Sequence, residues 1–433
     1  MMKTTDFSKA RALVCDSGLF FPLALRLARS DGFAEVGYHP VTWQKGFPSY
    51  HEYDVGKGFD SVKHEPYLWD VIDDYDILIF PDVLRGDLQQ YLRKQGYRVF
   101  GSGKGDELEL FRAYAKHVMD RVDLPVQPYK IIKGLDKLRE YLKGEKEDVF
   151  VKISLLRGIT ETFRGMTGKN FWLIEPRMDE LAHSLGMRKN EMNFIVEDDI
   201  ETQIEYGIDT IVVDGKFPKL AANGLELKDC AYAAVVQDYE NLPDGMKLVN
   251  ERLAPILSEY QYRNFFSTEI RVAKDNTPYL IDVTARHASP AGEAQHELIG
   301  NLAEMIWGAA AGELVEPEMT AKYAVQSIIL SDRAEDSWMP IEFPEKFRDN
   351  VKLYFHTRIN NHDYVIPQAA KMNEIGSVVT TGNTLQEAID SNLEIAESVK
   401  GDKIEIHSDK FPKLIELFDE MKKKGMDIEP ADI

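Results

Sequence analysis

Cysteine is scarce in this chain, and long apolar segments are missing. Only two cysteines, Cys15 and Cys230, occur among 433 residues, which is too few for a disulfide framework or a zinc cluster. Such scarcity is typical of a reducing compartment. No stretch approaches the roughly 18 uninterrupted apolar residues of a membrane span, and the N-terminus, MMKTTDFSKARALV, lacks the apolar segment of a signal peptide. We therefore expect a cytoplasmic protein without a membrane partner, in which Cys15 is a core residue.

Positive charge is also in short supply. The sequence has 52 lysine and arginine residues against 73 aspartate and glutamate residues, which gives a formal net charge of −21. An acidic surface of this kind argues against nucleic acid or acidic membranes as partners. The composition, 44% hydrophobic and 29% charged, is that of a globular protein, and the length suggests about three domains with separate cores.

Two common nucleotide-binding signatures are missing as well. Residues 11–105 alternate strand and helix patterns without a GxGxxG motif, so a dinucleotide site is not indicated. The segment GSGKG resembles a phosphate-binding loop, but such a loop needs glycine five positions before its Gly-Lys pair and serine or threonine after it. Arg98 and Gly105 occupy those places. The alternation itself predicts a parallel sheet in an N-terminal domain, 1–105.

Two helices have clear signals at their first turns. In GDELELFRAYAKHVM, Asp106 and Glu109 have the spacing of a capping box, as do Thr384 and Glu387 in TLQEAIDSNLEIAESV. We expect AQHELIGNLAEMIWGAAAG, at 294–312, to form a single helix as well. The apolar residues of the first helix predict one buried face, formed by Leu108, Phe111, Ala115, Val118 and Met119.

A lysine within an apolar strand is the first candidate for chemistry. Lys152 lies in VFVKIS, where a buried ammonium group would need an anionic partner. A lysine that reaches solvent from an edge strand is the alternative. The turn that follows contains Ser154, Arg157 and Gly158, whose backbone amides and guanidinium group could cover phosphate oxygens. A hairpin turn without function is the alternative there.

Acidic residues follow the next apolar strand, NFIVEDDI. Glu197 lies at the end of this strand, with Ile200 and Glu205 shortly after it. A strand that ends beside adenine offers backbone polar atoms to the base edge, an aliphatic side chain to its face and a carboxylate to the ribose hydroxyls. A solvated acidic loop is the alternative.

The strongest pattern is a pair of strands, FFSTEIRV and YLIDVTARH, which predict a hairpin turned at KDNTP. Glu269 lies on the first strand. On the second, Asp282, Thr284 and Arg286 alternate, so their side chains project from one face. Two carboxylates and a hydroxyl are oxygen ligands suited to Mg²⁺, and the arginine is placed to bind a phosphate or carboxylate. A charged surface face is the alternative.

In their order along the chain, these features resemble the ATP-grasp superfamily, and most closely the glycinamide ribonucleotide synthetases. The family has one lysine before a small lid domain and another on a lid strand, a lid loop, a hinge acid, a ribose-binding glutamate and a metal signature of the form Glu-x-Asn-x-Arg. Asp282 and Thr284 depart from the glutamate and asparagine of that signature. The matching residues are Lys116, Lys152, Ser154–Gly158, Glu197, Glu205, Glu269, Asp282, Thr284 and Arg286.

The resemblance implies a multidomain α/β and α+β fold, the ATP-grasp fold. It would comprise an N-terminal Rossmann-like domain at 1–105 and an ATP-grasp domain at 106–318, with its lid at about 127–195. A small α+β domain at 319–433 would complete the chain.

The resemblance also implies a ligase that uses ATP and Mg²⁺, with Mn²⁺ as an alternative metal, to join a glycine-like amino acid to an amine through an acyl phosphate. Small-molecule carboxylate and amine substrates would be its partners, and a homodimer is compatible with it. A bicarbonate-using carboxylase-like enzyme and a non-catalytic ATP-binding module remain alternatives. The implied roles are ATP binding by Lys116, Lys152, Ser154, Arg157, Gly158, Glu197, Ile200 and Glu205, metal binding by Glu269, Asp282 and Thr284, and acyl-phosphate binding by Arg286 and Arg271.

Overall fold

The N-terminal segment folds as its alternating pattern predicts. The computed structural model describes all residues except 1–5, 42–53, 84, 146, 148, 155–161, 166, 200–201, 228–229, 276, 368–372, 425 and 427. The first elements are β1 (Arg11–Asp16), α1 (Phe21–Leu27), β2 (Glu35–Pro40), β3 (Val62–His64), α2 (Leu68–Val71), β4 (Ile77–Ile79), α3 (Gly86–Lys94) and β5 (Val99–Phe100). The five strands are parallel, in the order β3-β2-β1-β4-β5. Cys15 is buried in this sheet, as predicted.

The helix predicted from Asp106 is interrupted. It consists of α4 (Glu107–Leu110) and α5 (Arg112–Arg121), with non-helical dihedral angles at Phe111, φ −102° and ψ 69°. Phe111 is 43% exposed, so it does not belong to the buried face. The predicted capping box is also wrong, because Asp106 and Glu109 accept hydrogen bonds from backbone amides of distant residues instead.

A small antiparallel sheet follows, within the segment predicted to be a lid. Its elements are β6 (Tyr129–Lys133), α6 (Leu135–Gly144), β7 (Val149–Ile153), β8 (Thr162–Gly165), α7 (Glu175–Leu185) and β9 (Asn193–Asp198). The strand order is β6-β9-β7-β8, so β7 is an internal strand. Lys152 on this strand is 5% exposed, which excludes the alternative of an edge-strand lysine in solvent.

The next strands form the predicted antiparallel region, including the hairpin. They are β10 (Thr202–Val213), β11 (Leu220–Leu227), β12 (Ala231–Asp238), β13 (Arg263–Ala273) and β14 (Pro278–Thr284), with helix α8 (Asp244–Glu259) between β12 and β13. Neighbouring strands pair in the order β14-β13-β10-β11-β12. The hairpin β13–β14 has a register shift beside Glu269, where β14 contains one extra residue.

The single helix predicted at 294–312 is two helices, α9 (Gly292–Leu298) and α10 (Leu302–Ala311). The chain leaves the helical path because Ile299 forms a β-bridge with Met319 and the Gly300 amide donates to the Glu318 carbonyl. Hydrogen bonds to a later segment therefore replace the continuous helical ladder.

The C-terminal elements extend the central sheet. They are β15 (Tyr323–Ser331), β16 (Met339–Glu342), β17 (Val351–Leu353), β18 (His356–Ile359), β19 (His362–Val365), β20 (Glu374–Gly382), α11 (Leu385–Ser398), β21 (Lys400–Gly401), β22 (Ile404–Ile406) and α12 (Phe411–Lys423). Strands β15, β20 and β17 continue the sheet beyond β12, and β22 pairs with β15. The remaining four form the sheet β18-β19-β16-β21. Because one sheet runs across residue 318, the domain boundaries stay a proposal.

Among the helices of the described residues, none is long and apolar enough to cross a membrane. The longest, α8, packs its apolar side chains against the central sheet and carries charged residues on its other side.

The capping box predicted for α11 is confirmed, and its contribution can be measured. The Thr384 hydroxyl accepts from the Glu387 amide, and the Glu387 carboxylate accepts from the Thr384 amide. Thr384→Ala is expected to cost about 1 kcal/mol locally, so amides in the first turn of α11 should exchange about five times faster in hydrogen–deuterium exchange. Ser391→Ala, at an exposed position of the same helix, should leave exchange unchanged. Equal exchange in Thr384→Ala and the wild type would contradict the assignment.

Candidate active site

Two buried lysines share one buried carboxylate where α5 meets the small sheet β6-β9-β7-β8. Lys116 lies on α5, Lys152 on β7 and Glu197 on β9. Nζ of Lys116 is 2.6 Å from Oε1 of Glu197, and Nζ of Lys152 is 3.3 Å from Oε2. Glu197 is 0% exposed, so it is not part of a solvated loop. The structure thus brings together three residues that the sequence analysis assigned to ATP binding.

The protonation of this cluster follows from burial and from its opposite charges. Burial lowers the pKa of Lys116, and the nearby Glu197 carboxylate partly offsets that effect. Burial works in the opposite direction on Glu197, but the positive charges of Lys152 and Lys116 hold its pKa below the ordinary value. The carboxylate of Glu197 is therefore ionised at neutral pH.

A third cation, Arg112, connects the lysines to the predicted metal ligands. It precedes Lys116 by four residues on α5, so both side chains lie on one face of that helix. Its Nη1 atom donates to Oδ1 of Asp282 at 2.9 Å, while Lys152 donates to the Ile281 carbonyl at 2.6 Å. Burial alone would raise the pKa of Asp282, but Arg112 and Lys152 lower it to about 2.

The predicted metal ligands lie side by side on the hairpin. Glu269 is directly opposite Asp282, and Thr284 is opposite Ser267 two residues further along. Glu269 also shares a hydrogen bond with Glu205. Burial, followed by the proximity of Glu205, raises the pKa of Glu269 well above its ordinary value. Such crowding of carboxyl groups is a setting in which a divalent cation would be stabilised.

The two arginines predicted to bind an acyl phosphate each have a carboxylate partner. Nε of Arg271 is 2.6 Å from Oε2 of Glu205, and Nε of Arg286 is 2.8 Å from Oε1 of Glu109. Both arginines also line one cavity, and the carboxylate partners restrict the positions of their guanidinium groups.

Three predicted residues of the nucleotide site, Arg157, Gly158 and Ile200, lie outside the described residues. Ser154 is described and is 6% exposed at the end of β7.

A cavity of about 490 Å³ adjoins the metal-ligand candidates. Two glycines, Gly207 and Gly224, are among its lining residues. At Gly224 a Cβ atom would lie 2.0 Å from the Tyr232 hydroxyl, so no larger residue fits beside that ring. Its polar and charged lining residues are Glu205, Tyr206, Asp209, Glu226, Tyr232, Ser267, Glu269, Arg271, Thr284, Arg286, Ser289, Glu420 and Lys424, the last two from α12 and the residue after it.

Four residues of the site were not predicted from the sequence: Arg112, Glu109 as the partner of Arg286, and the cavity residues Asp209 and Tyr232. Two of these left a signal. Arg112 is one helical turn from Lys116, and Asp209 alternates with Glu205 along β10, which places both acids on one face of the strand.

No protein-family model and no curated protein sequence matches this chain, whereas solved structures do. The phosphoribosylamine–glycine ligase of Thermotoga maritima superposes with a TM-score of 0.69 and 16% identity, over 92% of this chain and 98% of that chain. The N5-carboxyaminoimidazole ribonucleotide synthetase of Thermotoga maritima has a TM-score of 0.57 and 14% identity, over 90% of this chain and 99% of that chain. A third structure is the biotin carboxylase domain dimer of Hydrogenobacter thermophilus 2-oxoglutarate carboxylase, solved with MgADP, ADP and bicarbonate. It has a TM-score of 0.64 and 13% identity, over 96% of this chain and 95% of that chain.

All three of these proteins are ATP-grasp enzymes. At such low identity the likeness shows the fold alone. The chain therefore has the ATP-grasp fold, which confirms the fold class predicted from the sequence.

The buried lysine–glutamate cluster yields a stability prediction. Glu197→Gln leaves two buried ammonium groups without a carboxylate, a change that typically costs about 3 to 5 kcal/mol. Amides of β7 and β9 should then exchange about 100-fold faster or more in hydrogen–deuterium exchange.

The matched control removes every charge of this cluster. The triple variant Lys116→Met/Lys152→Met/Glu197→Leu leaves no unpaired ion, so it should lose much less protection than Glu197→Gln. Faster exchange in the triple variant than in the single one would show that unpaired charge is not the cause.

Proposed function

We propose that this protein is an ATP- and Mg²⁺-dependent carboxylate–amine ligase that works through an acyl phosphate. One observation carries the proposal. On an ATP-grasp fold, a continuous path of charge runs from the buried lysine pair, through Asp282 and Glu269, to a cavity large enough for small substrates. Each part of this path suits one part of such a reaction.

The lysine end of the path fits a polyphosphate. Lys116, Lys152 and Arg112 together bring three positive charges, against the carboxylates of Glu197 and Asp282. The cluster is nearly buried, so its attraction for an anion is little screened by water. These cations would hold the phosphates of ATP, and Ser154 at the end of β7 would add a hydroxyl group.

The carboxylate end of the path fits a magnesium ion. In the part of the chain that the structure describes, no group of three or more histidine, cysteine or acidic side chains is arranged to hold a metal. Mg²⁺ with nucleotides usually takes only one or two carboxylates and completes its shell with water and phosphate oxygens. Glu269 and Asp282 would supply the carboxylates, with Thr284 as a nearby hydroxyl. Mn²⁺ has the same ligand preference.

When bound, Mg²⁺ and ATP would supply an activated phosphoryl group for a substrate carboxylate. The chain's own residues would do the rest. Arg286, held by Glu109, and Arg271, held by Glu205, line the cavity, where their guanidinium groups would bind the carboxylate and its phosphorylated form. Their fixed orientation reduces the entropy cost of placing the substrate.

The fold neighbours suggest two kinds of carboxylate substrate, an amino acid and bicarbonate. One neighbour is a phosphoribosylamine–glycine ligase, and another neighbour was solved with bicarbonate. We favour an amino acid over bicarbonate as the carboxylate, because two arginines line a cavity of about 490 Å³, much larger than bicarbonate needs. A homodimer stays a proposal, supported by the dimeric state named for the Hydrogenobacter thermophilus domain.

The proposal is tested by phosphate release from Mg-ATP, measured with single amino acids or bicarbonate and with hydroxylamine as a trap for acyl phosphates. We expect amino-acid-dependent release together with hydroxamate. Lys152→Ala and Asp282→Asn should each reduce both by about 100-fold or more, because each removes a fixed charge at the phosphate end.

Charge changes elsewhere serve as controls for these two variants. Lys169→Ala on the lid and Asp275→Asn at the hairpin turn alter exposed residues of the same types, and they should keep wild-type rates. Full activity in Lys152→Ala and Asp282→Asn would refute the site. Release that depends on bicarbonate alone would favour the carboxylase-like alternative, and ATP binding without any release would favour a non-catalytic module.

A further inference from the structure

The strand register shows which residues lie side by side on one face of the central sheet. We call a set of residues that lie opposite one another on successive strands a row. In one row Asp282 lies opposite Glu269, which lies opposite Gly207. The row continues through Gly224 and Ala234 on the next two strands. It thus changes from two carboxylates to three of the smallest residues, and the cavity opens where these small residues begin.

Asp209 lies in the neighbouring row, which runs from Thr284 through Ser267 to Asp209. All three residues line the cavity. Asp209 is 4% exposed, and its Oδ2 atom accepts a hydrogen bond from the Tyr232 hydroxyl at 2.6 Å. Burial raises the pKa of Asp209 to about 6, so the group is still mostly an anion at neutral pH.

The charge of Asp209 has no counter-ion among the described residues, where its partners are the hydroxyls of Tyr232 and Ser267. The arginines that line the same cavity are paired with Glu205 and Glu109 instead. A buried carboxylate without a cation is costly. A cationic ligand in the cavity would offset that cost.

We propose that Asp209 binds the ammonium group of the amine substrate and accepts its proton, with Tyr232 as the residue that positions the carboxylate. This inference rests on the proposed ligase function. Sheet spacing puts the Cα atoms of Asp209 and Glu269 about 8 Å apart, one strand across and two residues along. That separation accommodates a small acyl group between the metal end and the amine. Because Asp209 favours a cation and the same cavity must also hold the acyl group, the second substrate is a small primary amine that enters as an ammonium ion.

The ammonium group transfers one proton to Asp209, which frees the nitrogen lone pair. The lone pair forms the new C–N bond at the acyl-phosphate carbon, while the C–O bond to phosphate breaks and phosphate leaves with that electron pair. The nitrogen then loses a second proton to solvent, and Asp209 returns its own proton to solvent when the amide leaves.

The test uses the competition of two nucleophiles for the same acyl phosphate. Hydroxylamine is mostly uncharged at neutral pH, so it needs no carboxylate to remove a proton before attack. Methylamine, ethanolamine and glycinamide are mainly ammonium ions at that pH and must lose a proton first. Wild-type protein, Mg-ATP and the most active amino acid are incubated with hydroxylamine and one of these amines. Amide and hydroxamate are then quantified by mass spectrometry. We expect Asp209→Asn to lower the amide-to-hydroxamate ratio by about 100-fold, with a hydroxamate yield at least equal to that of the wild type, because the acyl phosphate that no longer reacts with the amine remains for hydroxylamine.

Hydroxamate formation by Asp209→Asn shows that this variant is folded and makes the acyl phosphate, and two further variants serve as controls. Tyr232→Phe keeps the carboxylate and removes only its hydroxyl donor, so it should lower the ratio by a smaller factor. Asp238→Asn, an exposed residue at the end of β12, should leave the ratio unchanged.

The outcomes separate the two proposals. Three results would overturn the role of Asp209 and leave the ligase function intact. In Asp209→Asn these are an unchanged amide-to-hydroxamate ratio or an equal loss of amide and hydroxamate. In the wild type it is hydroxamate formation while none of the three amines gives an amide. Absence of hydroxamate with every amino acid would overturn the proposed function, and this inference with it.

Discussion

The site depends on one carboxylate, Glu197, placed between two nearly buried ammonium groups. The three charged groups belong to separate elements, α5, β7 and β9, and burial of any one of them alone would be strongly unfavourable. Lys152 also donates to the backbone of β14, so the side chain that joins the charge cluster also links the small sheet β6-β9-β7-β8 to the central sheet. The cationic cluster is thus part of what holds the two sheets together, and an anion would bind to a site that is already formed.

Strand register carries the arrangement from this cluster to the cavity. Arg112 holds Asp282, Asp282 faces Glu269, and beyond Glu269 the same row continues with glycine. Because side chains on neighbouring strands are fixed in spacing, a shift of one residue in β13 or β14 would turn the metal-ligand candidates to the opposite, apolar face. The order of cations, carboxylates and open space is therefore a consequence of pairing in the sheet.

Local sequence patterns were sufficient to predict several of the elements that form the site. Strand alternation predicted the parallel sheet and the hairpin, whereas the sequence left open whether Lys152 is buried or reaches solvent from an edge strand, which the internal position of β7 decides. Features that depend on distant partners could not be predicted. Asp106 and Glu109 have the spacing of a capping box, but amides far along the chain bind them instead. For the same reason the central sheet crosses residue 318, since only long-range pairing adds β15 and β20 to it, and no local pattern shows that the Tyr232 hydroxyl reaches Asp209 across Gly224.

A crystal structure of the protein with Mg²⁺ and a non-hydrolysable ATP analogue tests the central claim most directly. The account predicts phosphate oxygens in contact with Nζ of Lys116 and Lys152, and a metal ion bound by Glu269 and Asp282 on the side that faces the cavity. A nucleotide bound elsewhere would contradict this account. So would a bound nucleotide whose phosphates contact neither lysine, with Lys116 and Lys152 still paired only with Glu197.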